Sequence, residues 1–137
     1  MTPEALAALH QRCFVTPRPW GPAEFALYDS DPLVFLLVEA DAGFLLGRAV
    51  AGEAEVLTLA VAPESRRLGL GRKLLARFTY QARLRGAQTA FLEVSAANAA
   101  ALALYESAGF SASGRRKGYY TGVDGVRIDA VVMARAL

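Results

Sequence analysis

The order of elements in this chain predicts a mixed α/β fold, with a mostly antiparallel sheet and one central parallel strand pair. Three observations carry the prediction. Three apolar, strand-forming segments fill residues 33–61 and are separated by short turns, as in a meander. The apolar strands 56–61 and 89–95 flank a helical segment, so they run parallel through a crossover. A further helix and two final strands close the chain. That order excludes a doubly wound parallel sheet.

The elements follow from local chemistry. Pro3 sits in the first turn of a helix that runs to about Phe14. Thr16-Pro17-Arg18-Pro19-Trp20-Gly21-Pro22 is a stiff loop, and a short helix covers about Ala23 to Tyr28. Leu33–Glu39 and Phe44–Ala51 read as strands joined in a hairpin at Asp41-Ala42-Gly43. Gly52-Glu53 turns into the strand Ala54–Val61. The helix over 70–85 carries Leu74, Leu75, Phe78 and Ala82 on one face, and Gly86 ends it. Thr89–Ser95 is a strand. The helix Asn98–Ala108 has Ala101, Leu104, Tyr105 and Ala108 on its inward face and stops at Gly109. Phe110–Gly118 and Val126–Met133 form the closing antiparallel pair.

The 137 residues suit one domain, taken as 1–137, with a sizeable core. Apolar residues make up 54%, which excludes a disordered chain. A net charge of +2 gives no sign of a nucleic-acid binder; the basic residues cluster locally, near 66–85 and 115–117. The one cysteine, Cys13, cannot make an internal disulfide and fits a reducing compartment. No signal peptide is visible after Met1, and the run Leu33–Val38 is far too short to span a bilayer. These features predict a cytoplasmic protein without a membrane partner. One histidine and one cysteine argue against a zinc site or a Cys–His nucleophile, and no metal is expected. His10 and Cys13 read instead as ordinary residues of the first helix.

The most informative segment is Val61-Ala62-Pro63-Glu64-Ser65-Arg66-Arg67-Leu68-Gly69-Leu70-Gly71-Arg72-Lys73. A strand stops at a proline, a basic glycine-bearing loop follows, and a long helix begins. Glycines allow close backbone approach, and a helix start offers unpaired N–H groups and its positive dipole end. Arg66, Arg67, Arg72 and Lys73 add cationic charge. The combination predicts a site for a phosphorylated ligand. No Gly-Lys-Ser or Gly-Lys-Thr occurs, so this is not a Walker loop. Leu74 stands where a dinucleotide fingerprint needs its third glycine.

What remains is Arg66-x-x-Gly69-x-Gly71, which resembles the acetyl-CoA pyrophosphate loop of the GNAT acetyltransferase superfamily. The resemblance extends through Leu92-Glu93-Val94-Ser95-Ala96-Ala97-Asn98 to Tyr105-Glu106-Ser107-Ala108-Gly109-Phe110. Pro19-Trp20, Arg115-Arg116-Lys117-Gly118-Tyr119-Tyr120, Asp124-Gly125 and Asp129-Ala130-Val131-Val132-Met133 are similar to the bacterial ribosomal-protein alanine N-acetyltransferases within it. It covers nearly the whole chain and is strongest from 56 to 133. It implies a GNAT-like fold and acetyl transfer from acetyl-CoA to a primary amine, in that subfamily the N-terminal alanine of a ribosomal protein. It also implies a peptide or protein N-terminus as partner and a monomer or weak dimer.

The roles that the resemblance implies fall on named residues. Main-chain groups of Leu59, Ala60 and Val61 hold the acetyl carbonyl and pantetheine arm. Arg67, Leu68, Gly69, Leu70, Gly71 and Arg72 cradle the pyrophosphate, and Asn98 contacts the cofactor arm. Glu93 is the general base and Tyr105 the general acid. The chemistry is consistent: the amine must be neutral to attack, a carboxylate can take its proton, and a hydroxyl can assist a departing thiolate. Each residue also has a plainer reading. Glu93 can be a solvated strand-end glutamate, Tyr105 a core tyrosine, and Asn98 a helix N-cap. Tyr119, Tyr120 and Trp20, placed in loops, either border the acceptor or pack the final hairpin. Acetylation of a lysine or small amine, a non-catalytic acetyl-CoA sensor and a nucleotide-binding module stay open as alternatives.

Overall fold

The computed structural model describes residues 1–137. Helices α1 (Pro3–Cys13) and α2 (Pro22–Asp29) come first, followed by β1 (Val34–Glu39), β2 (Gly43–Val50) and β3 (Glu53–Val61). Helix α3 (Leu70–Leu84) leads to β4 (Thr89–Ser95), and α4 (Ala99–Ser107) to β5 (Ser111–Thr121) and β6 (Arg127–Ala136). The strands form one sheet in the order β1-β2-β3-β4-β6-β5. Only β3 and β4 are parallel neighbours; every other pair is antiparallel. This is the mixed sheet that the sequence predicts. No helix is long and apolar enough to cross a membrane.

Two details differ from the sequence reading. The first hairpin turns over residues 40–42, one residue earlier than expected, with Ala40 and Asp41 both left-handed (φ 52° and 50°). The strands β5 and β6 run to Thr121 and Ala136, beyond 118 and 133. Their mutual ladder sets those ends, and the charged run 115–117 carries no apolar pattern that could announce it.

Successive residues of a strand face opposite sides, and β2 shows the consequence. Leu45 joins Leu74, Leu75 and Phe78 of α3 in one core, together with Val56, Leu92 and Met133. Phe44 and Leu46 join Leu6 and Leu9 of α1 and Phe25 of α2 in the other. The helices therefore cover both faces of the sheet. The four α3 residues expected on one face (Leu74, Leu75, Phe78 and Ala82) are all buried.

Strand β3 contains the feature that shapes the site. Its register with β2 slips between Leu46↔Thr58 and Gly47↔Val56, leaving Leu57 as an extra residue. Ala54 and Val56 face α3, whereas Ala60 and Ala62 belong to the α1 side. A bulge reverses the alternation in this way. Pairing with β4 covers only Glu53–Glu55 against Thr89–Phe91, and beyond that the two strands part. The mouth of the resulting gap faces the end of β3, the loop before α3 and the start of α4.

Gly47, at the bulge, lies beneath the stacked rings of Phe35 and Phe78, whose centroids are 5.9 Å apart. An added Cβ there would sit 2.6 Å from Phe35 Cζ. Gly47→Ala is expected to lower stability by about 1–3 kcal/mol through overpacking. Urea unfolding should show an earlier midpoint with an unchanged slope.

Candidate active site

The loop before α3 presents a row of free donors. The amide N–H groups of residues 67–72 donate to no partner within the protein; the first helical bond of α3 is Lys73 N–H to the Gly69 carbonyl, at 3.1 Å. No side chain caps the helix. Arg67 and Gly69 are both left-handed (φ 72° and 77°), a backbone pattern that turns N–H groups into a concave face. Orphan donors need water or a ligand, and the helix dipole favours an anion here. The four basic residues do not share this task. Lys73 turns to Glu39 of β1, 3.5 Å away, beside Arg77. Arg66 donates through Nε to the Val61 carbonyl at 3.2 Å. Arg67 and Arg72 make no ion pair and face the cavity.

That cavity, of about 700 Å³, is lined by Leu59, Ala60 and Val61 of β3, by Arg66, Arg67 and Gly69–Arg72, and by Asn98, Ala101 and Leu104 of α4. Leu68 is exposed on the same loop. The donor set and the room suit a diphosphate joined to a long, partly apolar arm. On the β2 side of β3, Ala62 N–H donates to the Ala42 carbonyl. Alternation therefore turns the N–H and C=O of Leu59 and Val61 toward the gap. The Val61 carbonyl accepts there from Arg66 and from Cys13 Sγ.

A second cavity, of about 490 Å³, adjoins the first. The two share Phe14, Leu59, Asn98, Ala101 and Leu104. Glu93 and Tyr105 both line the second. The Glu93 side chain is 25% exposed and pairs with Arg116 Nη2 at 3.0 Å. Tyr105 is buried, and burial pushes its pKa up to about 12, so its hydroxyl stays protonated. That hydroxyl bonds to no protein group, yet no buried side-chain polar atom lacks a partner; the oxygen therefore opens into the cavity. Asn98 Oδ1 accepts from Ala101 N–H at 3.1 Å and caps α4, while the residue borders both cavities.

Several residues here escaped the sequence reading. Glu55 lines the second cavity and pairs with Arg48 at 3.1 Å. Arg116 also packs over the Tyr119 ring, 5.1 Å from its centroid. Tyr119 and Tyr120 belong to strand β5, not to a loop, and both line the cavity with Trp20. Burial and the nearby Glu93 charge raise the Tyr120 pKa. His10 is buried between α1 and β3. Its Nδ1 accepts from Trp20 N–H at 3.0 Å, which leaves Nε2 as the donor to Thr58 Oγ1 at 2.9 Å. Tyr119, Tyr120 and Trp20 were candidates in the sequence, whereas no local pattern marks Glu55, Arg116 or His10 as neighbours of this cavity, because strand crossings and bulges bring them together.

The sequence pattern of the Acetyltransferase (GNAT) family matches residues 4–110, and the chain belongs to that family as an acyl-CoA-dependent N-acetyltransferase. It is 42% identical over 119 residues to the [ribosomal protein bS18]-alanine N-acetyltransferase of Escherichia coli strain K12, covering 85% of this chain and 80% of that one. It is 37% identical over 137 residues to the N-alpha-acetyltransferase RimI of Mycobacterium tuberculosis, covering 94% and 83%. The crystal structure of the ribosomal-protein-S18-alanine N-acetyltransferase from Escherichia coli superposes with a TM-score of 0.86 at 36% identity, over 98% of this chain and 86% of that one.

Two outcomes are expected. Burial lowers the His10 pKa from 6.5 to about 4, against the opposite effect of Glu24. Above pH 6.5 the imidazole is neutral in both states. Below it the unfolded chain takes up a proton that the folded chain refuses, so stability falls between 6.5 and about 4. His10→Gln, measured by urea unfolding at pH 7 and 5, should flatten that loss. At Gly71, an added Cβ would lie 2.9 Å from Leu104 Cδ2, so crowding of α4 joins crowding of the cavity that Gly71 lines. Gly71→Val is expected to weaken coenzyme A binding about tenfold by calorimetry, since overpacking costs about 1–3 kcal/mol.

Proposed function

We propose that this chain acetylates the N-terminal α-amine of a ribosomal protein that begins with alanine. The observation that carries the reading is the junction of the two cavities at Leu59, with one side rich in free N–H donors and the other holding a carboxylate and a tyrosine hydroxyl. The acceptor identity is supported by 42% identity, over most of both chains, to a relative named for that reaction.

In this reading acetyl-CoA supplies the acetyl group and a thiolate leaving group. The N–H groups of residues 67–72, with Arg67 and Arg72, hold its diphosphate, and Leu59, Ala60, Val61 and Asn98 guide its arm. The Leu59 N–H, facing the gap, donates to the acetyl carbonyl oxygen as charge grows there; loss of such a donor typically costs about 10²–10³ in rate. Glu93 takes the amine proton, directly or through water. The incoming ammonium competes with Arg116 for the same carboxylate. Tyr105, held protonated by burial, donates to the departing sulfur. An α-amine has a pKa near ~7.7–8.0, so it needs modest help near neutral pH, unlike lysine near ~10.4. That difference favours an α-amine for a site with one half-buried carboxylate.

Steady-state assays with acetyl-CoA and an alanine-starting peptide test the assignment, with a lysine peptide and a polyamine as competitors. Preferred turnover of the polyamine would overturn it. Glu93→Gln is expected to lower kcat on the order of 10²-fold, most strongly below pH 8, with coenzyme A affinity within twofold. Unchanged turnover would remove Glu93 from the mechanism and leave Glu55 as the carboxylate of that cavity. Tyr105→Phe should lower kcat by about tenfold or more, again with coenzyme A affinity retained.

A further inference from the structure

Strand β5 is irregular where it meets the second cavity. Arg116 lies opposite Ala130 and Tyr120 opposite Ile128, so residues 117–119 share a single partner position, Asp129. Two extra residues are thus packed into β5. Gly118, within the bulge, takes a left-handed φ of 58°. On a regular strand Tyr119 and Tyr120 would face opposite sides of the sheet. Here Arg116, Tyr119 and Tyr120 all line the same cavity. Arg116 and Tyr120, four residues apart, would share a face in any case; the bulge is what brings Tyr119 to it, a use of bulges common beside active sites.

We propose that Asp129 is a positioning residue for the acceptor: by clamping this bulge it delivers Arg116, Tyr119 and Tyr120 to the cavity lined by Glu93 and Tyr105. Its two carboxylate oxygens grip the middle of the bulge and the strand that leads into it. Oδ1 accepts from Gly118 N–H and Oδ2 from Arg115 Nη1, each at 2.8 Å. These two bonds also hold its carboxyl below the usual carboxylate range. The main chain of Asp129 ties the clamp to the catalytic strand, since its carbonyl accepts from Ala96 N–H at 2.9 Å, just past β4. The clamp therefore spans three elements: the bulged strand, β6 and the start of the β4–α4 loop. Arg116, the last regular pair before the bulge, reaches Glu93 and the Tyr119 ring at once. Loosening the bulge should disturb acceptor contacts and leave the phosphate loop, on the far side of Leu59, intact. The inference rests on reading this cavity as the acceptor side.

Kinetics of the full chain separate this role from a general structural one. For Asp129→Ala the KM of an alanine-starting peptide is expected to rise about tenfold, with the KM of acetyl-CoA within twofold. Asp129→Asn keeps an oxygen for Gly118 N–H and should recover most of that loss. Arg115→Ala removes one anchor only and should raise the peptide KM two- to threefold, which keeps the test available if Asp129→Ala fails to fold. Asp124→Ala, in the distal turn where its carboxylate bonds Val126 N–H, should leave both KM values unchanged. An unchanged peptide KM in Asp129→Ala and Arg115→Ala, or an equal rise in both KM values, would overturn the proposal. If the wild type turns over spermidine and no peptide, the reading of the acceptor fails, and the same ratios taken with spermidine still judge Asp129. A crystal structure of Asp129→Ala gives a readout independent of any acceptor. Separation of Arg116 from Glu93 is expected, and an unaltered bulge would overturn the idea.

Discussion

The parting of β3 and β4 is the constraint on which the rest of the molecule depends. Two parallel strands that stayed paired would bury their N–H and C=O groups in each other. Here pairing ends after three residues, and the bulge at Leu57 turns the remainder of β3 away. Main-chain groups of Leu59 and Val61 are left facing a gap, where a ligand can take the place of the missing neighbour. The cost of an unpaired strand edge is offset on the β2 side, where the ladder continues to Gly43↔Val61. Helices on both faces fix the geometry: α3 packs Leu74 and Phe78 against one face, and α1 packs Leu6 and Leu9 against the other.

The two sides of the gap are built by different physics. The donor side is mostly backbone: six consecutive free N–H groups, a helix start and two left-handed residues. Such an arrangement suits an anion through directed dipoles and needs few side chains. The second cavity is made of side chains held in a network. Glu93 faces Arg116, Arg116 faces Tyr119, and Asp129 fixes the strand that carries both. His10, neutral and doubly bonded, ties α1 to β3 through Thr58 and orders Trp20 at the rim.

The legibility of the sequence followed the same division. The glycine-bearing turn into α3 was readable because its signal is local: a strand, a proline, two spaced glycines and a helix within thirteen residues. The α3 face was readable from its period, and Asn98 as a cap from its residue type. Lys73 was misjudged as part of the anion site, because nothing local shows that Glu39 of β1 stands beside it. Tyr119 and Tyr120 were misread as loop residues, because a bulge in a charged edge strand leaves no apolar alternation. The resemblance drew attention to Glu93 and Tyr105, but not to the arginine that occupies the glutamate.

By itself the sequence determined the order of elements, the parallel crossover and the basic, glycine-bearing turn at 66–72. Each arises from residues close in the chain, where propensity, periodicity and turn geometry act. Only the tertiary structure decided where β3 leaves β4, which cations stay free, and how β5 bends to bring Arg116 to Glu93. Those outcomes depend on register between strands distant in sequence, and a shift of one residue in register changes which groups face each other.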